Sequence, residues 1–184
     1  MKFISQSIPD VLLIEPTVHG DSRGYFMESF RQDLLDDFLG YEVNFVQDNE
    51  SKSSKGVLRG LHYQLPPSAQ AKLVRVIEGR VLDVAVDIRQ SSPTFGQYVS
   101  KELSSDNRHQ LFIPRGFAHG FVVLSESAVF AYKVDNYYSS DDERGIAYHD
   151  KEIGIDWVLK SDELQLSDKD KLQPVLSEAK ELFN

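Results

Sequence analysis

Lys72-Leu73-Val74-Arg75-Val76-Ile77, a turn at Glu78-Gly79-Arg80, then Val81-Leu82-Asp83-Val84-Ala85-Val86-Asp87-Ile88 form the most regular part of the chain. β-Branched and aliphatic residues fill both runs and a glycine separates them, so two successive strands are expected. Alternation in the second run puts Asp83 and Asp87 on one face and Leu82, Val84, Val86 and Ile88 on the other. On either side, Val11 to Ile14, Phe45 to Glu50, Tyr98 to Leu103, Leu111 to Ile113, Gly120 to Leu124 and Ala128 to Val134 are further strand-like runs. Many short strands broken by Gly, Pro, Asn and Asp indicate an all-β sandwich or barrel.

Other segments break the strand pattern. Phe30, Leu34, Leu35, Phe38 and Leu39 recur at helical spacing and Gly40 follows, which predicts a short amphipathic helix over 30–39. His19 to Gly24 reads as a turn-rich loop, Ser51 to Gly56 as a polar, basic loop, and the tail from Ser161 as helical in pieces. With no internal repeat and no linker, the 184 residues are expected to form one domain, 1–184.

Composition narrows the chemistry. The chain holds 29 acidic and 20 basic residues, a formal charge of −9. Nonspecific nucleic-acid binding needs a basic face and is therefore disfavoured. An anionic small ligand would need its cations gathered locally, with Arg23, Arg59 and Arg115 as plausible phosphate holders. The absence of cysteine removes disulfides, thiolate zinc sites and a thiol nucleophile. Met1 to Ile14 lacks the plan of a signal peptide and no apolar run reaches membrane-spanning length, so a soluble, cytoplasmic protein is expected.

Two stretches carry most of the candidate chemistry. Gly56-Val57-Leu58-Arg59-Gly60-Leu61-His62-Tyr63-Gln64 sets a guanidinium, an imidazole, a phenol and a carboxamide among apolar residues. Polar groups away from water are costly without partners, so their density suggests a lined cavity. Strict alternation separates Arg59 from His62, unless Gly60 marks a bulge or bend. Pro114-Arg115-Gly116-Phe117-Ala118-His119-Gly120-Phe121 resembles the second motif of the cupin jelly roll. The first cupin motif brings a His-x-His pair, where this chain reads His62-Tyr63-Gln64. Two imidazoles without a third ligand make a poor metal site, so a metal-free cupin is expected.

Without a metal, side chains must activate the substrate. An imidazole backed by a carboxylate is a good base near neutral pH. Asp83, Asp87 and the Asp168-Lys169-Asp170 cluster are the candidate partners, and the residues alone do not choose among them. Tyr132 shares the inward face of its strand with Phe130 and Ala128; it is either a proton donor or a core tyrosine bonded to a carbonyl. Lys72 either holds an oxyanion or is a solvated edge lysine.

Taken together, these residues resemble the dTDP-4-dehydrorhamnose 3,5-epimerase family over almost the whole length, from Gly20-Asp21-Ser22-Arg23-Gly24-Tyr25-Phe26 to Leu166-Ser167-Asp168-Lys169-Asp170. The most specific pieces are Gln47-Asp48-Asn49, Arg59 to Gln64, Pro114 to Phe121 and Tyr132 through Tyr138. The resemblance implies a dimeric, metal-free jelly roll with a few short helices. It implies a nucleotide-sugar substrate and no cofactor, because the substrate supplies its own activating carbonyl. By that resemblance His62 is the base, Asp170 orients it, Tyr132 is the acid and Lys72 binds the keto oxygen. Gln47, Asn49, Arg59 and His119 would line the sugar and diphosphate pocket, with Glu143 and Lys169 at further ligand-contacting positions. Asp83, which could orient a histidine, and Tyr138, a second phenol that could serve as donor, are counted with the substrate-binding candidates. Arg23, Phe26 and Glu28 would reach the nucleotide, partly from the neighbouring subunit. A mono-epimerase or an enzyme for another nucleotide-linked 4-ketosugar shares these motifs. A metal-dependent cupin and an idle sugar-nucleotide binding module are the readings from other classes.

Overall fold

The computed structural model describes all 184 residues. Thirteen strands run in the order β1 (Lys2–Ser5), β2 (Leu12–Glu15), β3 (Val18–Asp21), β4 (Gly24–Met27), β5 (Gln47–Ser54), β6 (Leu58–Gln64), β7 (Lys72–Glu78), β8 (Arg80–Asp87), β9 (Tyr98–Ser104), β10 (Gln110–Ile113), β11 (Phe117–Val123), β12 (Ser127–Val134) and β13 (Glu143–Gly145). Helix α1 (Gln32–Leu39) precedes β5, and the tail carries α2 (Asp168–Lys171) between two short 3₁₀ turns. A six-stranded sheet, β1-β2-β10-β7-β12-β5, faces a five-stranded sheet, β13-β6-β11-β8-β9, and β3 and β4 form a separate hairpin. The all-β expectation holds, in the two-sheet arrangement of a cupin-like jelly roll. No helix is long and apolar enough to cross a membrane.

Alternation builds the core. Val74 and Val76 of β7, Ala128 and Phe130 of β12, Val81 and Ala85 of β8 and Phe121 and Val123 of β11 all point between the sheets. Phe121 and Phe130 stack across that space with centroids 4.1 Å apart. Truncating such a buried ring to alanine costs about 3–5 kcal/mol. The apolar face of β8 turns the other way. Leu82, Val84, Val86 and Ile88 pack outside the sandwich with Trp157 and Leu176, so the tail gives β8 a second buried face. Asp83 and Asp87 consequently point inward, both fully buried.

Helix α1 forms where the apolar spacing predicts it. Leu35 is buried beneath it with Leu12, Ile14 and Phe112, and Gly40 ends it at φ +75°. That left-handed conformation suits glycine and closes the helix as a C-cap. The tail from Ser161 is helical in pieces, as expected.

Four elements depart from the sequence reading. His19 to Gly24 is part of the β3–β4 hairpin rather than a loop. β5 continues to Ser54 through the expected loop, because eight consecutive pairs with β12 outweigh the weak strand preference of its serines and lysine. β1 and β13 had no strand signal of their own; both are four residues or fewer and exist through pairing with β2 and β6.

Candidate active site

A cavity of about 500 Å³ opens between the sheets, with Phe121 and Phe130 on its apolar wall. Its polar lining comes from both sides: Arg59, His62 and His119 from the five-stranded sheet, Lys72 and Tyr132 from the six-stranded sheet. The tail adds Lys169 and Asp170.

The shared face of Arg59 and His62 depends on an irregularity in β6. His62 pairs with His119 and Arg59 with Phe121, so two residues of β6 stand opposite Gly120 alone. The extra residue is a bulge, and it reverses the alternation on either side of it. Arg59 and His62 then face the cavity, while Leu58, Leu61 and Tyr63 pack beneath the tail. Gly60 sits at φ +133°, and a Cβ there would come 2.5 Å from the Cα of Gly120. Only glycine meets both demands.

Each cavity histidine has its own carboxylate. His62 Nε2 lies 2.5 Å from Asp170 Oδ1. Asp170 arrives on α2, where its backbone N–H donates to Ser167 Oγ at 3.1 Å and caps the helix. Burial works to raise the Asp170 carboxyl, but the hydrogen bond and charge of His62, with Ser167 and Lys169, outweigh it and hold it below the usual range. His119 Nε2 lies 2.8 Å from Asp83 Oδ2, and the other Asp83 oxygen meets no donor. Burial lowers His119 despite the opposing pull of Asp83, so this imidazole is neutral near pH 7.

The facing wall supplies an amine and a phenol. Burial drives Lys72 down to about 8, against the opposing pull of Asp83 and Glu143. Tyr132 lies on the neighbouring strand, in register with Val74, and its phenol is raised by burial with Arg59 opposing. Its hydroxyl makes no hydrogen bond within the chain. Arg59 Nε donates to Ser53 Oγ at 3.2 Å. Gln47 donates to Asn49 at 2.8 Å on β5, where Asn49 is in register with Tyr132.

At the rim, Glu143 Oε2 accepts from the Tyr138 hydroxyl at 2.7 Å and pairs with Lys169 Nζ at 2.5 Å. Tyr138 itself is exposed.

Some expected residues lie elsewhere. Asp87 is not behind a histidine: Arg89, Ser92 and Thr94 donate to it. Arg115 is no free phosphate holder, because Asp135 pairs with it at 2.9 Å. Asp83 lies fully buried behind His119, and it reaches the cavity only through that ring. Within the chain, Arg23, Phe26 and Glu28 stay away from the cavity; Arg23 pairs with Asp21 and Glu28 with Arg31, while Phe26 is exposed. Sequence reading missed Ser53 and Ser167, which hold Arg59 and α2 in place. The Ser167-x-x-Asp170 spacing is an N-cap signal that was there to find. Among all side chains, no group of three or more His, Cys, Asp or Glu is arranged to hold a metal ion.

Comparison with known proteins places this arrangement. The family described as dTDP-4-dehydrorhamnose 3,5-epimerase matches residues 5–178. The dTDP-4-dehydrorhamnose 3,5-epimerase of Shigella flexneri is 59% identical over 170 residues, covering 92% of this chain and 93% of that protein. The crystal structure of the Elizabethkingia anophelis enzyme of the same name superposes with a TM-score of 0.94 at 49% identity, covering 97% of both chains. A Legionella pneumophila dTDP-6-deoxy-D-glucose-3,5-epimerase in complex with dTDP-4-keto-L-rhamnose gives 0.92 at 50% identity, over 96% of this chain and 93% of that one. With its two-sheet cavity, its His–Asp dyads and these relatives, the chain belongs to the dTDP-4-dehydrorhamnose 3,5-epimerase family.

Proposed function

We propose that this chain epimerises carbons 3 and 5 of dTDP-4-dehydro-6-deoxy-D-glucose, giving dTDP-4-dehydro-L-rhamnose. The observation that carries the reading is the placement of a carboxylate-backed imidazole and an unpartnered phenol on facing sheets of one cavity, with an amine on the strand beside the phenol. Inversion at carbon requires removal of a proton on one face and delivery on the other.

The ketone at carbon 4 acidifies the hydrogens at carbons 3 and 5. His62 removes one of them; ionised Asp170 keeps the proton on Nε2, which leaves Nδ1 as the basic atom. Lys72 bears the charge that develops on the keto oxygen. Tyr132 returns a proton from the opposite face. Such acid–base groups contribute about 10²- to 10⁴-fold each. Arg59, Gln47, Asn49 and His119 position the sugar and diphosphate, and Asp83 acts through His119. Tyr138, Glu143 and Lys169 bound the mouth.

The working unit is a homodimer in this proposal, with Arg23, Phe26 and Glu28 reaching the nucleotide in the neighbouring subunit. The separate β3–β4 hairpin supports it, because Tyr25 and Phe26 are 59% and 66% exposed there. A cytoplasmic site of action belongs to the same proposal, on the strength of the nucleotide-linked substrate.

The test is incubation with dTDP-4-keto-6-deoxyglucose in deuterated water, read carbon by carbon by NMR. Deuterium at carbons 3 and 5 with inversion of both is expected. Deuterium at one carbon alone reduces the enzyme to a mono-epimerase, and none at either overturns the reading.

A further inference from the structure

Helix α2 carries the carboxylate that holds His62, yet it is only four residues long, far too short to be stable by itself. Two polar ties alone connect residues 166–173 to the rest of the chain: Asp170 to His62, and Lys169 to Glu143 at 2.5 Å. The other hydrogen bonds of the segment are internal, from Asp170 and Lys171 to Ser167, from Leu172 to Lys169 and from Lys171 to Asp168. Backbone bonds to the sheet resume only at its ends, at Gln165 and Pro174.

Glu143 is well placed to serve as the second anchor. It lies on β13, whose register with β6 sets Glu143 opposite Gln64 and Gly145 opposite His62. The contacts therefore close a ring, running from His62 to Asp170, along α2 to Lys169, across to Glu143 and back through β13 to the strand of His62. The same Glu143 oxygen accepts from Tyr138, which ties the mouth loop to the ring. The Glu143 side chain is only 15% exposed and Lys169 54%, so the pair is fixed on its acidic side, where Tyr138 also holds the carboxylate.

We propose that Glu143 is a positioning residue: through Lys169 it clamps α2 against β13 and so keeps Asp170 on His62 before any substrate arrives. The proposal deepens the function given above and rests on His62 as the base. Its content differs from that of a ligand contact, because the clamp acts in the empty enzyme. A base displaced by a fraction of its hydrogen-bond length loses both its tautomer and its aim at carbon.

The experiment compares ligand-free parent, Glu143→Gln and Lys169→Met by proton NMR, following the downfield His62 N–H resonance held by Asp170 and assigned by its loss in Asp170→Asn. Glutamine preserves the shape of Glu143 and an acceptor for Tyr138 while removing the charge. In both variants the resonance should broaden into exchange with water, and kcat should fall on the order of 10- to 100-fold. Exchanging the charges, Glu143→Lys with Lys169→Glu, should recover the resonance. An unchanged resonance in ligand-free Glu143→Gln and Lys169→Met overturns the clamp, whatever happens to KM. Because the resonance is read without substrate, a parent that fails to exchange substrate hydrogen would sink the proposed function separately.

Discussion

The two imidazole–carboxylate pairs of the cavity use the same groups in different surroundings. His62 and His119 are direct partners across β6 and β11, and each has Nε2 on an aspartate, at 2.5 and 2.8 Å. Asp83 stands on β8, a neighbour of β11, and its pair is almost closed to solvent, with side chains 0% and 8% exposed. Asp170 comes from the tail, and the His62 side chain remains 28% exposed. Accepting a proton creates an imidazolium, and burial penalises that charge. Burial keeps His119 neutral and makes it a fixed hydrogen-bonding group, whereas the His62 ring stands where the cavity opens, as the proposed base requires. Exposure, more than the identity of the groups, separates the two pairs.

The largest effect should come from removing the His62 ring. His62→Ala should abolish hydrogen exchange at both carbons, since no enolate forms, while His119→Ala should still exchange hydrogen at a reduced rate. Exchange by His62→Ala at either carbon, read by NMR in deuterated water, would break the contrast between them. Next comes the facing wall. Tyr132→Phe should lose inversion by about 10²- to 10⁴-fold while substrate hydrogen still exchanges, the proton returning to the face it left. Inversion at the parent rate would pass the acid's role to Tyr138, and the double phenylalanine variant is the control.

The two carboxylates should differ as well. Asp170→Asn should lower turnover by about 10²-fold with nucleotide-sugar binding retained, because it withdraws the charge that stabilises the imidazolium. Asp83→Asn should affect turnover less, since His119 does not ionise. Equal losses would mean that both pairs do the same job.

A smaller effect should appear in the pH profile. Lys72 is charged below about 8, so turnover should decline as pH rises through that value. Lys72→Arg, which holds its charge, should move that limb upward. The contribution of Lys72 to stability has the opposite sign. Its folded value of about 8 lies below the ordinary 10.5, so the unfolded chain binds the extra proton between them and stability rises with pH across that window. Calorimetric melts of the parent against Lys72→Met would show it. Least of all, Arg23→Ala should raise KM with little change in kcat, because a nucleotide contact is largely uniform binding.

Much of this protein was legible in one dimension. The alternation of 81–88, the helical spacing of 30–39 and the broken helix of the tail depend on neighbours along the chain. Periodicity reports such neighbours directly. The histidines, Lys72, Tyr132 and Asp170 are candidates by residue type, and the family resemblance alone gives them their expected roles. The β3–β4 hairpin, the length of β5 and the strand β13 were hidden, since pairing rather than propensity makes them. The face shared by Arg59 and His62 hangs on a bulge that a lone Gly60 suggests and only the register of β11 reveals.

The all-β class, the inventory of reactive groups and the family likeness are readable from the chain, because composition and local pattern encode those. The residues alone left open which carboxylate stands behind which imidazole; the family resemblance named Asp170 for His62, and the contacts themselves are tertiary. His62 and Asp170 are separated by 108 residues and His119 and Asp83 by 36, and Asp87 was as good a candidate as either until Arg89 claimed it. A proton is passed between groups that touch, and contact across such distances is set by the way the sheets pack and the tail returns.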